Sequence, residues 1–299
     1  MDLQGHASNV YSQFGEDGIL RAIFREIGVK HQRAVEFGAW DGIHCANTRS
    51  LVDEGWVCLL IEPEPKRFAS LQVFAEAHGQ IAVRGFVANT PGQKLHEYLR
   101  YADFPIDLDL VSIDIDGDDV LALTTIGDYS PRCLVIEYNR TIPVDYCYTN
   151  VPGENVGNSI SAIQRVTADM KMGLVAQTPT NLIFVRDELI ANSALELIQP
   201  RTQLAMFVGF NGELKIGLQP WGLVRPGSES VTTASPHGMI QWPWTLGLVA
   251  QPIPRAFRKW PRRQEPLAAW LALKALALHP SSLRTLVDGA RRYRNGRAS

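Results

Sequence analysis

Apolar residues fall into two alternating patterns over the first 187 positions. In one they recur at helical spacing. Ile19, Leu20, Ile23, Phe24 and Ile27 mark a helix that Gly28 ends. The same reading predicts helices over 44–54, 65–78, 95–99, 120–126 and 158–172. In the other pattern, short continuous apolar runs stop at an acid. The run Ala34-Val35 ends on Glu36, 56–61 on Glu62, 108–113 on Asp114 and 133–136 on Glu137. A further strand is expected over 81–88. Two last strands, 174–177 and 181–185, are joined by Thr178-Pro179-Thr180. Strands that alternate with helices at this spacing imply an α/β domain built on a largely parallel sheet. The tight joint makes the last pair antiparallel.

After Asp187 the alternation stops. The runs 207–210 and 213–216 flank Asn211-Gly212, which predicts a β-hairpin. Positions 220–254 are rich in Pro, Gly and Ser and predict irregular structure over the sheet edge. Pro266 to Leu278 is an apolar helical stretch with Trp270, and Ser281 can cap a last helix that ends in Arg291-Arg292-Tyr293-Arg294. The expected organisation is a core over 1–187, a hairpin-containing extension over 188–254 that covers the acceptor side, and a helical tail over 255–299.

Charge changes that picture only at the tail. The 299-residue chain carries a net charge of -2. Residues 255–299 hold eleven Lys or Arg against Glu265 and Asp288, a surplus of nine, which leaves -11 for the rest. A basic tail on an acidic body suits contact with an anionic membrane face or another subunit. No interleaving of aromatic and basic residues points to nucleic acid. Cys45, Cys58, Cys133 and Cys147 show no metal-type spacing, and Cys58 and Cys133 lie in strand-like runs, so buried free thiols in a reducing compartment are expected. The start, Met1-Asp2-Leu3-Gln4-Gly5-His6, has no basic or apolar leader region, and no stretch approaches the roughly 18 apolar residues of a membrane span. The expectation is a cytoplasmic protein, with a peripheral membrane contact through the tail.

The candidate chemistry lies at the strand ends. Phe37-Gly38-Ala39-Trp40-Asp41-Gly42 follows the first strand, where glycines let a backbone turn tightly and approach a ligand. Glu36 is placed to accept from a ligand amino group. Glu62 ends the second strand and is placed to accept both hydroxyls of a ribose. A dinucleotide fingerprint is disfavoured, because GxGxxG is absent and Gly38 and Gly42 are the only glycines in the loop. Past the fourth strand stand Asp114 and Asp116, and past the fifth Glu137 and Asn139. Residues i and i+2 of an extended chain point the same way, and neighbouring strands lie about 4.8 Å apart. Four oxygen-bearing side chains then suit a hard cation, Mg²⁺ or Mn²⁺, able to lower the pKa of a bound hydroxyl. A metal-free base at Asp114 or Asp116, or a simple helix cap at Asp116, fits the same spacing.

The motifs YSQFGEDG, VEFGAWDGIHCANT, LLIEPEPKRF, LVSIDIDGDD, LVIEYN and NLIFVRD stand in this order between Tyr11 and Asp187. Together they resemble the FkbM-like group of class I S-adenosylmethionine-dependent methyltransferases. The resemblance implies a Rossmann-like seven-stranded, mostly parallel sheet flanked by helices, and methyl transfer to a sugar or polyketide hydroxyl. It implies cofactor contacts at Glu36, Gly38, Ala39, Glu62 and Pro63, with Ser112 and Asp114 near the sulfonium and Ser12 and Gln13 closing over the ligand. It also favours Asp114, Asp116, Glu137 and Asn139 as metal ligands. One departure is that Phe86-Val87-Ala88-Asn89 lacks an acid for the adenine amino group, a role left to Asn89 or a carbonyl. Catalytic candidates are Asp114, Asp116 and His44, with His237 reaching from a covering loop as a further base and Tyr138, Tyr146 and Tyr148 as walls for a sugar. The leading expectation is an O-methyltransferase of a sugar or glycan hydroxyl. A small natural product as acceptor, and a non-catalytic binding protein of the same fold, are the alternatives.

Overall fold

The structure is a computed structural model, and it describes residues 1–115, 117–139, 147–152, 157–200, 204–208 and 214–218. The expected hairpin tip, the irregular stretch 220–254, the tail helices, Asp116, Tyr146 and His237 lie outside the described residues. One compact unit comprises Met1–Tyr138 and Cys147–Gln199, and a second Asn139–Tyr146 and Pro200–Ser299.

The first unit is the Rossmann-like α/β sheet that the apolar runs predict. Its strands are β1 (Arg33–Phe37), β2 (Val57–Glu62), β3 (Ile81–Arg84), β4 (Leu110–Ile113), β5 (Cys133–Glu137), β6 (Met172–Gln177) and β7 (Asn181–Arg186). They lie in the order β3-β2-β1-β4-β5-β7-β6. The first five pair in parallel, and β7 runs antiparallel to both β5 and β6. The helices are α1 (Glu16–Ile27), α2 (Arg49–Asp53), α3 (Pro65–His78), α4 (Leu95–Tyr101), α5 (Asp119–Leu123), α6 (Ile160–Asp169) and α7 (Asp187–Ala191). The chain reverses its direction of winding between β1 and β4, the position where open α/β sheets leave a crevice beyond their carboxyl ends.

Register explains where polar and apolar groups go. Ala34 lies beside Cys58 and Leu110, Leu110 beside Cys133, and Cys133 beside Val185. These residues form one core with Ile19, Leu20, Ile23 and Phe24 of α1. Each of those four side chains contributes roughly 1.5–3 kcal/mol by burial. Two residues further along the same face the row reads Leu60, Glu36, Ser112, Val135, Ile183. At the carboxyl edge the row ends with Glu62 on β2 and with Glu137 opposite Asn181. Continuing the β4–β5 register by one residue sets Asp114 opposite Glu137. The apolar face under α1 therefore ends in a row of oxygen-bearing side chains.

Several elements differ from expectation, each for a local reason. No helix runs over 44–54; α2 begins only at Arg49, because side chains take the amides of Ile43, His44, Asn47 and Thr48. β3 stops at Arg84 rather than 88, and the Ala88 amide turns back to the Gln93 carbonyl at 2.8 Å. β4 starts at Leu110, since Asp109 bonds sideways to the amides of Lys30 and His31. α6 starts at Ile160, capped by Ser159, whose hydroxyl accepts from the Ala162 amide at 3.1 Å. In the second unit, β8 (Leu204–Val208) and β9 (Leu214–Leu218) pair antiparallel as the hairpin reading expects, but both are displaced away from Asn211-Gly212 relative to the expected 207–210 and 213–216.

The crossing between β1 and β4 leaves no space for a side chain. Gly38 has φ +74°, and a Cβ built there overlaps the Asp114 carbonyl oxygen. Gly79, which ends α3 at φ +65°, has open space around it. Gly79→Ala is therefore expected to cost about 1 kcal/mol, the left-handed penalty alone. Gly38→Ala should cost several-fold more or abolish folding. Urea unfolding of both variants checks this, and equal losses would contradict it.

Candidate functional site

The glycine loop is held from beneath by two strand-end acids. Glu36 is buried. Its Oε1 accepts from the Asn47 amide at 2.7 Å, and its Oε2 accepts from the Thr48 amide at 3.2 Å and from the Thr48 hydroxyl. Asn47 in turn donates to the Ser112 hydroxyl at 3.1 Å, which joins the ends of β1 and β4. Burial pushes the Glu36 carboxyl above its ordinary value, and the three hydrogen bonds only partly offset it. Glu62, also buried, accepts from the Trp40 amide at 3.0 Å and from the Glu64 amide at 2.8 Å. It ties the loop crest to the start of α3. Trp40 is thereby kept in a left-handed conformation, φ +49°, rare for a bulky residue. Its ring lies exposed under the Arg67 guanidinium, 4.1 Å away. The amides of Gly38 and Ala39 donate to the Ile61 carbonyl at 3.1 and 3.2 Å. Both sequence-predicted acids thus shape the loop.

Beyond the crest, Asp41 accepts from the amides of Ile43 and His44 at 3.0 and 2.8 Å, and its other oxygen meets His44 Nδ1. Partial burial raises the Asp41 carboxyl, but these bonds outweigh it and hold it below its ordinary value. Asp41 orients His44, a partner the sequence reading did not assign.

Two further acids, Asp17 and Glu16, hold the segment before α1. Asp17, buried in the YSQFGEDG motif, gathers the amides of Val10, Tyr11 and Ser12 on one oxygen at 2.7–2.8 Å. Ser12 is fully buried, and its hydroxyl donates to Asn9 and accepts from the Asp17 amide. Gln13 is half-buried. Glu16 accepts from the Phe14 amide at 2.7 Å, from the Thr178 hydroxyl at 2.6 Å and from Asn181 Nδ2 at 3.0 Å. The motif thus spans from the β6–β7 turn to α2, where Tyr11 donates to Asp53 at 2.9 Å and lies 4.6 Å from the Arg49 guanidinium.

The acidic loop after β4 has its own support. Asp119 is fully buried and accepts from the amides of Ile115 and Gly117 at 2.9 and 3.1 Å. Asn158 donates to the Gly117 carbonyl at 2.7 Å and accepts from the Asn150 amide at 2.9 Å, and Asn150 Nδ2 donates to Asp118 at 2.6 Å. Sequence reading missed Asp119 and Asn158, although a short polar residue flanking a Gly-containing loop is the usual signal for such a tie. Asp114 and Glu137 are half-buried, and Ser112 is fully buried. Pro63 is half-buried beside Glu62, while Asn89 stands exposed in the loop after β3. Tyr138 is buried and donates to the Thr178 carbonyl at 2.9 Å, so it belongs to the core beside the edge. Asn139 is buried in the second unit. Among the described residues, no group of three or more His, Cys, Asp and Glu could hold a metal ion.

Cys45 is half-buried, and burial first, with the charges of Asp114, Glu16, Asp41 and Glu36 adding to it, pushes its thiol up to about 12.

No family model matches the chain, and no curated protein does. Among solved structures it is similar to an S-adenosylmethionine-dependent methyltransferase from Aquifex aeolicus, at 12% identity and a TM-score of 0.37, over 57% of this chain and 88% of that one. It is similar to the magnesium protoporphyrin IX methyltransferase of Synechocystis at 11% identity and a TM-score of 0.38, over 57% and 81% of the chains. A methyltransferase from Clostridium acetobutylicum gives 6% identity and a TM-score of 0.38, over 62% and 92%. Likeness at this level carries no argument, and the fold class rests on the sheet order itself.

Burial raises the Glu16 carboxyl above its ordinary value, against the bonds from Thr178, Asn181 and Phe14. The folded chain then holds this proton more tightly than the unfolded one. The contribution of Glu16 to stability is greatest below the ordinary carboxylate pKa and falls as pH rises through the interval up to the raised value. Glu16→Gln should therefore lose less stability than the wild type between pH 4 and pH 8. Urea midpoints at both pH values check this, and parallel pH profiles would contradict it.

Proposed function

We propose that the chain is an S-adenosylmethionine-dependent O-methyltransferase acting on a sugar or glycan hydroxyl, assisted by a divalent cation. The observation that carries this reading is Glu62. It ends β2 at the carboxyl edge, beside the winding reversal, and its carboxylate already holds the crest of the glycine loop. A carboxylate has about four acceptor sites. Glu62 uses two on amides and keeps capacity for the hydroxyls of a ribose. The chemistry of the edge fits the donor, since the groups there are acceptors and the donor brings hydroxyls, an ammonium and a sulfonium. When bound, S-adenosylmethionine supplies the methyl group.

The chain's own residues supply position and a proton acceptor. Gly38 and Ala39 present backbone rather than bulk beside Glu62, and Ser12 and Gln13 belong to a segment that Asp17 preforms. In-line attack requires the acceptor oxygen about 3 Å from the methyl carbon, so positioning is the main contribution. Asp114 and Glu137 end neighbouring strands and would supply oxygen ligands to Mg²⁺ or Mn²⁺, which would lower the pKa of an acceptor hydroxyl. Asp114 or Asp116 is the base of a metal-free route, with His44, oriented by Asp41, a further candidate. A small natural product remains the second acceptor class.

Titration calorimetry is expected to show S-adenosylmethionine binding, weakened at least tenfold in Glu62→Gln with an unchanged circular dichroism spectrum. A folded wild type that binds no donor would end the reading. Transfer of labelled methyl groups to a glycan extract is expected to fall roughly 100-fold in Asp114→Asn and on chelation. Activity that survives both would remove the metal and leave the enzyme.

A further inference from the structure

The loops at the amino ends of β1, β4 and β5 carry an exposed apolar surface. Val29, in the loop before β1, is 45% exposed. Tyr101, at the end of α4, is 75% exposed, and Ile106, in the loop before β4, is 59% exposed. Tyr129, half-buried, stands in the loop before β5. These loops are neighbours, because β1 pairs with β4 and β4 with β5. Lys30 is paired with Asp107, and the Ser130 amide donates to the Ile106 carbonyl at 2.8 Å. Val29 and Tyr129 thus each adjoin a residue bonded to the Ile106 loop. Tyr101 reaches the same loop through a tight turn, in which the Phe104 amide donates to the Leu99 carbonyl at 3.0 Å. Single exposed apolar side chains are ordinary, but a contiguous set on three adjoining loops marks an interaction surface.

The surface is fastened from beneath. Buried Asp109 accepts from the amides of Lys30 and His31 at 2.8 and 2.7 Å and has the Arg132 guanidinium 3.2 Å away. Arg132 in turn donates to the carbonyls of Ile27 and Gly28 at 2.7 and 2.8 Å, so the loop that presents Val29 is tied at both ends. A preformed surface loses little conformational freedom on association. Charge selects the occupant. Residues 1–254 carry the -11 left by the basic tail, so two copies of this body repel over most of their surfaces. Here the signs balance, with Lys30, Arg33 and Arg100 beside Asp103, Asp107 and Asp128. A partner of one strong sign gains nothing from such a surface. In a twofold contact one patch meets itself, so each charge needs its opposite on the same patch. Arg100 and Asp103 meet that condition: they flank Tyr101, both are exposed, and neither has an ion-pair partner among the described residues.

We propose that this amino-end surface is the interface for a second copy of the chain, with Tyr101 and Ile106 buried across a twofold axis and Arg100 of each copy paired with the partner's Asp103. The surface stands at the opposite end of the strands from Glu62 and Glu137, so association leaves the carboxyl edge of both copies open. The inference rests on the shape and charge of the surface and is independent of the methyltransferase reading.

Sedimentation velocity of the full chain, from low to high micromolar concentration, tests this. A reversible shift from the mass of one chain to that of two is expected. Tyr101→Asp and Ile106→Asp should each weaken association about tenfold or more, with an unchanged circular dichroism spectrum. Arg100→Glu sets acid against acid and should weaken it as well. Adding Asp103→Lys to that variant restores the pair with its signs exchanged and should recover most of the loss. Asp103 is left-handed, φ +53°, so Lys strains the turn there. The two apolar variants lie at exposed positions and keep the test decisive if the exchanged pair fails to fold. A single-chain mass at every concentration would overturn the interface. Association unmoved by both apolar variants would place the contact elsewhere and overturn it too. A folded exchanged pair no better than Arg100→Glu alone would overturn the twofold pairing.

Discussion

The loops above this sheet stand because buried carboxylates accept their amides. Glu36 holds 47 and 48, Glu62 holds 40 and 64, Asp17 holds 10 to 12, and Asp119 holds 115 and 117. Loop backbones carry amides that no strand or helix satisfies, and each buried one needs a partner. An acid at a strand end or helix start supplies it from below. Hydrogen bonds to a charged acceptor are worth roughly 1.5–3 kcal/mol each. Glu36 shows what the device costs, since burial works against its charge.

The same device places the chemistry. Register carries one face of the sheet from an apolar row under α1 to a row of oxygens at the carboxyl edge. The Gly38 backbone meets the Asp114 carbonyl where the winding reverses, so the β1 loop and the acidic loop cannot move independently. The N-terminal motif spans from the β6–β7 turn to α2 and is fastened at both ends by acids and hydroxyls. The glycine loop, the acidic loop and the N-terminal motif are therefore parts of one hydrogen-bonded edge.

Much of this was legible in the sequence. The strand ends at Glu62 and Glu137 were readable because an acid closes an apolar run, whereas β1 runs one residue past Glu36 to Phe37, and the antiparallel pairing of β8 and β9 was readable from the Asn-Gly signal between them. Legibility failed where a side chain competed with the helix. The apolar spacing over 44–54 is helical, but Asp41 and Glu36 take the amides that a helix would use, and α2 shrinks to Arg49–Asp53. It failed again for Glu16, Asp17, Asp119, Asn158 and Asn181. Their partners are distant in sequence or lie in loops, and no local pattern distinguishes a buried acid from one that merely favours a helix start.

Hydrogen–deuterium exchange of the full chain with and without S-adenosylmethionine tests the central claim most directly. Protection is expected at the amides of 38–48, 62–64 and 112–117, the loops held at the carboxyl edge. The amides of Lys30, His31 and Arg33, which Asp109 holds at the amino edge, should not change. Protection at the amino edge, or none at the carboxyl edge with donor in saturating excess, would contradict the assignment of this edge as the donor site.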